Sequence, residues 1–202
     1  MFSWTEYIDA SYGITTDQRI NAFNLPQAQI KETWRDLVNC DELKLNVHGN
    51  CTHTECIGHI GSHTEKISSL RINPLMFALC VDGNSDLEEW RQYSKFSEIE
   101  AIVVKFNLQP CNWTGKEYPQ IIIRDEFPKH LLTDLPSLDK EKGDVVNHKL
   151  FFKDRPLGTV TELCNLRNVN PGFYVLNLQT IDIDSDACPS RPVLFPLNKQ
   201  FW

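Results

Sequence analysis

The chain has 202 residues, 41% of them hydrophobic, and a formal net charge of −7. This length and composition predict one folded domain over residues 1–202 rather than a disordered chain. A nucleic-acid-binding protein usually carries a basic face, and the acidic charge without any Lys/Arg block excludes nucleic acid as the expected partner. No apolar run approaches the roughly 20 residues that span a bilayer, and no basic segment followed by an apolar one begins the chain. We therefore expect a cytoplasmic protein without a membrane segment.

Hydrophobic periodicity predicts short helices among strands. Apolar residues at helical spacing predict an amphipathic helix over 26–39, with Trp34 on its buried face. A capping box formed by Ser85 and Glu88 predicts a short helix that carries Trp90 and Tyr93. The predicted strands are 43–47, 75–81, 101–106, 121–123, 145–152 and 173–183.

Residues 127–144 are rich in charge and proline, which predicts a surface excursion. Strands and short helices are interspersed without a regular βαβ order. The predicted fold class is therefore α+β, with a largely antiparallel or mixed sheet and short flanking helices.

The densest chemical signal is the segment 48–63, HGNCTHTECIGHIGSH, which holds four of the chain's six histidines and two of its seven cysteines. Imidazole and thiolate donors at such short spacings suit a tetrahedral metal such as zinc. The ligand set with Cys-x4-Cys-x2-His-x3-His spacing is Cys51, Cys56, His59 and His63. Two further donors, His48 and His53, are left spare. The alternative is a polar surface loop whose histidines titrate near neutral pH.

A second acidic segment, 182–186, begins like a calcium-binding loop. An EF-hand loop needs a Gly at its sixth position and a Glu at its twelfth, and this chain has Ala187 and Val193 there. We interpret the segment as a charged strand end.

In residues 75–107, a buried strand is followed by Asp86, Trp90 and Tyr93 on a short helix and then by a strand that ends at Phe106. This order resembles the signature of a bacterial and phage family, the domain-of-unknown-function family 2971. Segments 148–152 and 198–202 resemble later elements of the same family.

The resemblance implies a fold akin to that of ADP-ribosyltransferases, which bind NAD in a cleft between sheets. Asp86, Trp90 and Tyr93 would then border an NAD cleft, with Trp90 or Tyr93 stacking on a ring of the cofactor. Because this chain stops at Trp202, before the acidic stretch of the family, the resemblance implies a degenerate cleft with little turnover.

Two classes of function remain open on the sequence alone. The first is the NAD-binding, ADP-ribosyltransferase-like cleft of an uncharacterised microbial or phage protein. The second is a non-enzymatic interaction or inhibitor protein, in which a zinc knuckle at 51–63 stabilises a partner-binding loop. An acidic surface would help such a protein bind a basic surface on a protein partner.

Overall fold

The computed structural model describes residues 5–14, 16, 20–109, 111, 113, 115–141 and 143–201. Its strands are β1 (Ile8–Asp9), β2 (Gln29–Lys31), β3 (Trp34–Arg35), β4 (Val38–Asn39), β5 (Glu42–Lys44), β6 (His53–Glu55), β7 (Leu75–Asp82), β8 (Ala101–Lys105), β9 (His130–Thr133), β10 (Thr159–Glu162), β11 (Gly172–Asn177), β12 (Ala187–Pro189) and β13 (Val193–Pro196). Its α-helices are α1 (Val47–Asn50) and α2 (Val146–Lys153), and short 3-10 helices cover Ile57–His59, Ile67–Ser69, Glu88–Trp90, Ser94–Glu98 and Lys199–Phe201.

Among the described residues, nine strands form one mixed sheet in the order β1-β13-β11-β7-β8-β9-β10-β6-β12. The strands from β7 to β10 pair in parallel, and the flanking pairs are antiparallel. This architecture confirms the prediction of a mixed sheet with short helices, although the protein is mostly β. No helix in the described part of the chain is long and apolar enough to span a membrane.

The sheet is covered on both faces. Along β7, Leu79 and Val81 belong to one buried apolar cluster, whereas Ala78 and Cys80 belong to another. Successive side chains of a strand point to opposite faces, so β7 and β8 are apolar at nearly every position. This continuous apolar run is what made β7 and β8 readable from the sequence.

The prediction of a helix over 26–39 was wrong. Residues 29–44 form a β-hairpin in which β2 pairs with β5 and β3 with β4. The side chain of Trp34 is 63% exposed rather than buried. Apolar residues at positions 30, 34 and 38 are four apart, a spacing that fits both a helical stripe and one face of a strand. Asp36 has a positive φ of 54°, and it lies in the tight turn that connects β3 to β4 in the hairpin.

The structure corrects further sequence predictions. Residues 121–123, predicted as a strand, have no regular secondary structure. Residues 145–152, predicted as a strand, lie almost entirely in α2, where His148, Phe151 and Phe152 form the buried helical face. The predicted surface excursion 127–144 contains β9, whose side chains are buried in the middle of the sheet. Four buried residues between charged and proline-rich segments are too short a run to stand out by composition.

Candidate metal centre

Seven imidazole and carboxylate side chains gather where β6 lies between β10 and β12. They come from α1, β6, the 3-10 helix Ile57–His59, α2, the end of β10 and the residue before β12. We call this set the histidine–carboxylate cluster; it consists of His48, His53, Glu55, His59, His148, Glu162 and Asp186. Atoms of its members approach one another closely enough for several three-residue groups to hold a metal ion.

Strand geometry brings three members of the cluster together. His53 and Glu55 are two residues apart on β6 and therefore point to the same face. The antiparallel register pairs Glu162 of β10 with His53. The intervening Thr54 points to the opposite face, where its hydroxyl lies 2.8 Å from the hydroxyl of Thr161.

Helix α2 supplies His148, and Asp139 holds it in place. The Asp139 carboxylate accepts hydrogen bonds from the backbone N–H groups of Asn147 and His148 and, at 2.6 Å, from Nδ1 of His148. The other ring nitrogen, Nε2, lies 2.8 Å from Oε1 of Glu55 and 3.4 Å from Oε1 of Glu162. Asp139 thus fixes the ring so that Nε2 faces two buried carboxylates.

His48 and His59 occupy the more exposed side of the cluster. Nε2 of His48 and Nδ1 of His59 lie 3.0 and 3.2 Å from the same oxygen, Oδ2 of Asp186. Their other ring nitrogens face Oε2 of Glu55, at 3.4 Å from His48 and 3.7 Å from His59. The two rings lie against each other with centroids 4.2 Å apart.

His53 follows the same pattern with a backbone partner. Its Nδ1 donates to the carbonyl of Cys51 at 3.1 Å, so that Nε2 is the nitrogen that lies 3.6 Å from Oε2 of Glu162. In each of the four imidazoles, one ring nitrogen therefore contacts an oxygen at the periphery of the cluster, and we call it the outer nitrogen. The other, inner nitrogen faces Glu55 or Glu162.

This arrangement fits a bound cation. Within the described residues, Nε2 of His53, Nε2 of His148 and both carboxylate oxygens of Glu55 are buried without a hydrogen bond of acceptable geometry. A neutral imidazole that donates from its outer nitrogen has only a lone pair on its inner one, and a lone pair repels a carboxylate. Protons or a metal ion must lie between these atoms, and imidazole and carboxylate are established metal ligands.

The pKa values show how protons would fill this role without a metal. Burial lowers the pKa of His48, but the nearby carboxylates of Asp186 and Glu55 outweigh burial and raise that pKa to about 10. Burial likewise opposes the charged form of Glu55, yet the neighbouring His148 charge holds the pKa of Glu55 well below its ordinary value. The carboxylates therefore stay ionised at neutral pH, as metal ligands must be, and a metal would displace protons from the imidazoles.

One glycine is required for the position of His59. A Cβ on Gly58 would lie only 1.9 Å from the carbonyl oxygen of Glu65, so the backbone before His59 would have to move. We expect Gly58→Ala to lower the free energy of unfolding by about 1–3 kcal/mol, the usual cost of overpacking, in urea denaturation. Gly13→Ala is the control, because no atom lies within 4 Å of the position that the alanine Cβ would occupy. An unchanged midpoint for Gly58→Ala would contradict this prediction.

Of the four metal ligands predicted from spacing, the structure brings only His59 into the cluster. The thiol of Cys51 donates to the carbonyl of Val47, and that of Cys56 donates to the carbonyl of Glu65. Burial raises the pKa of the Cys51 thiol to about 12, which disfavours the thiolate that a metal needs. His63 lies outside the cluster in a half-exposed pair with Glu65.

Besides His59, the sequence analysis left His48 and His53 as spare donors, and it missed Glu55, His148, Glu162 and Asp186. One signal was available: His53 and Glu55, two apart in a strand, share a face. The other three missed residues, His148, Glu162 and Asp186, lie about 90 or more positions further along the chain. No local spacing could connect them with segment 48–63.

The three residues proposed to bind NAD have other roles in the described structure. Asp86 is exposed, and its carboxylate accepts a hydrogen bond from the backbone N–H of Glu88 at 3.0 Å. Trp90 is buried, as its helical spacing predicted, and its ring centroid lies 5.8 Å from that of Phe173. Tyr93 packs on the same phenylalanine ring, with centroids 6.0 Å apart.

No protein-family model and no curated protein matches this chain, so the resemblance to the domain-of-unknown-function family 2971 stays an untested prediction. Solved structures do match. A potential metal-dependent hydrolase with cyclase activity is 16% identical, with a TM-score of 0.67 over 95% of this chain and 99% of that one. A predicted metal-dependent hydrolase from Bacillus stearothermophilus is 18% identical, with a TM-score of 0.63 over 94% and 98%. Isatin hydrolase A from Labrenzia aggregata is 12% identical, with a TM-score of 0.62 over 96% and 94%.

The chain has the fold of these hydrolases. The ADP-ribosyltransferase-like NAD cleft inferred from segment 75–107 is therefore wrong, since the matching folds are those of metal-dependent hydrolases and a cyclase. The alternative of an interaction protein built on a zinc knuckle finds no support in them either. Thirty residues of strand and aromatic helix were too common a pattern to identify a fold.

Proposed function

We propose that this protein is a metal-dependent hydrolase that uses the histidine–carboxylate cluster as its active site. The observation that carries the proposal is the set of buried inner nitrogens and carboxylate oxygens without hydrogen bonds. Buried polar groups are nearly always satisfied, so such a set indicates a missing ligand. The names of the structural neighbours, which include a metal-dependent hydrolase and an isatin hydrolase, support the same chemistry.

Glu55 has the central place in the proposed metal site. Its Oε1 faces the buried His148, whereas its Oε2 faces His48 and His59. The donors are nitrogen and oxygen atoms without sulfur, a set that suits Zn²⁺ or Mn²⁺. Zinc, the metal first predicted from Cys51, Cys56, His59 and His63, thus stays a candidate through a different set of ligands.

A bound divalent cation would act as a Lewis acid that polarises a carbonyl group and acidifies water. His59 is suited to proton transfer, because its side chain is 29% exposed and Nε2 faces the cluster. It would take a proton from the attacking water as the new C–O bond forms and return it to the leaving group as the amide or ester bond breaks. Asp186, at 3.2 Å from Nδ1 of His59, stabilises the charged imidazolium between these two transfers.

The test is hydrolysis by protein stripped with a chelator and reloaded with Zn²⁺ or Mn²⁺. Isatin, an acyclic anilide and an aryl ester form the substrate panel. We expect cleavage of at least one compound only in the reloaded protein, and metal retention after gel filtration. Retention of no metal by the wild-type protein would overturn the proposal.

Two matched variants separate the structural cluster from the ligand set read from sequence. His148→Gln removes a buried cluster member, and we expect it to lose the metal and the activity. His63→Gln removes a half-exposed histidine outside the cluster, and we expect it to keep both. Loss of metal in His63→Gln with retention in His148→Gln would restore the sequence-based ligand set.

A further inference from the structure

One carboxylate oxygen contacts two stacked imidazoles through chemically different ring nitrogens. Oδ2 of Asp186 lies 3.0 Å from Nε2 of His48 and 3.2 Å from Nδ1 of His59. Asp186 is distant in sequence from both histidines. The side chains of His48, His59 and Asp186 are 24%, 29% and 31% exposed. Asp186 therefore lies at the rim of the cluster, behind the two rings as seen from Glu55.

An ionised carboxylate can only accept hydrogen bonds, so it fixes the donor on each ring. His48 must carry its hydrogen on Nε2, and His59 must carry its hydrogen on Nδ1. The nitrogens left with lone pairs are Nδ1 of His48 and Nε2 of His59. Both of these face Oε2 of Glu55. A single acceptor thus selects opposite tautomers in two neighbouring histidines and directs both lone pairs to the same place.

Asp186 is itself held in this orientation. The hydroxyl of Ser185 donates to its other oxygen, Oδ1, at 3.2 Å, so that Oδ2 is left for the rings. The backbone carbonyl of Asp186 accepts from the N–H of Cys56 at 3.0 Å, which ties the residue to the chain just before His59. Its contacts with the rings are therefore built into the β6–β12 edge.

We propose that Asp186 is a positioning residue that fixes the tautomers and orientations of two rings, so that His48 offers its inner nitrogen to the metal and His59 offers its inner nitrogen as the proton acceptor. The inference rests on the proposed metal-dependent function. Carboxylates that accept from the outer nitrogen of a ligating histidine orient the ring and increase its basicity, and their loss usually weakens metal binding about 10–100-fold.

The test is Asp186→Asn, which keeps the shape of the side chain but removes its charge and adds an N–H donor. An amide can donate to one ring and so permit the wrong tautomer. We expect the affinity for Zn²⁺, measured by competition with a chromophoric chelator, to fall about 10–100-fold. In long-range ¹H–¹⁵N spectra of the Zn²⁺-loaded protein, we expect wild-type His48 to be protonated on Nε2 and His59 on Nδ1. The variant should lose this pattern at one or both rings.

Asp184→Asn is the matched control, because Asp184 is an exposed carboxylate two residues away. It should leave both the affinity and the ring spectra unchanged. Wild-type metal binding with an unaltered affinity and unaltered tautomers in Asp186→Asn would overturn the role of Asp186 alone. Failure of the wild-type protein to bind Zn²⁺ or Mn²⁺ would overturn both this inference and the proposed function, so the two failures are distinguishable. An altered ring spectrum is not expected from a general loss of stability, which leaves the tautomers of the folded fraction unchanged.

Discussion

Replacing Glu55 with Gln should destabilise the metal-free protein by about 3–5 kcal/mol, the usual cost of removing one partner from a buried ion pair. Glu55 is fully buried, and its Oε1 lies 2.8 Å from Nε2 of the equally buried His148. The amide keeps the volume of the side chain but leaves the imidazolium charge of His148 with less compensation. The same variant should fail to retain Zn²⁺ or Mn²⁺, since both oxygens of Glu55 face inner nitrogens.

Chemical denaturation after chelator treatment measures the first effect, and metal analysis after gel filtration measures the second. Glu65→Gln is a matched control, because Glu65 also pairs with a histidine, His63, at 3.6 Å, but both side chains are more than 40% exposed. Exposed ion pairs contribute little, so this change should stay within about 0.5 kcal/mol. Equal stabilities and equal metal contents for the two variants would show that Glu55 has no special place in the cluster.

Replacing Trp90 with Ala should cost about 3–5 kcal/mol, the usual range for emptying a large aromatic core site. Trp90 is only 9% exposed and belongs to the larger apolar cluster on one face of the sheet. Its ring packs against those of Phe173 and Tyr93, with centroids 5.8 and 6.0 Å away. The alanine would leave a cavity between the helical turn Glu88–Trp90 and β11.

Trp34→Ala provides the comparison within the same chain, because the side chain of Trp34 is 63% exposed on the hairpin. Its free energy of unfolding in urea should change by no more than about 0.5 kcal/mol. A Trp90→Ala protein as stable as the wild type would mean that the site collapses without cost. A Trp34→Ala protein as unstable as Trp90→Ala would mean that the hairpin packs in solution.

The sequence predicted strands β7 and β8 well, but it missed β9 in the middle of the sheet and several of the surrounding elements. Strands β7 and β8 lie within a residue of their predicted bounds, because strands buried on both faces have an apolar residue at nearly every position. The hairpin at 29–44 was misread as a helix, since apolar residues four apart satisfy both periods. Helix α2 was predicted as a strand because adjacent aromatic residues such as Phe151 and Phe152 are typical of strands. Its buried face also includes His148, three and four residues earlier, which is the spacing of a helix.

The candidate site was predictable only in part. The density of histidines located segment 48–63 correctly, but spacing favoured cysteine thiolates that the structure buries and protonates. Glu55 was overlooked because the ligands of zinc fingers are cysteines and histidines, so the carboxylate among them was not considered as a ligand. His148, Glu162 and Asp186 belong to other elements, and only the pairing of β6 with β10 and β12 brings them to the same place.

The order in which the cluster can assemble follows from its sequence separations. The contact between His48 and Asp186 joins residues 138 positions apart, and Asp186 directly precedes β12, which pairs with β6. Closing so long a loop is entropically unfavourable until the intervening chain has folded, so we expect these two residues to meet late. An ion that binds only the completed cluster would stabilise the native state without stabilising the folding transition state. It would therefore lengthen the lifetime of the folded protein and leave the rate at which the chain folds almost unchanged.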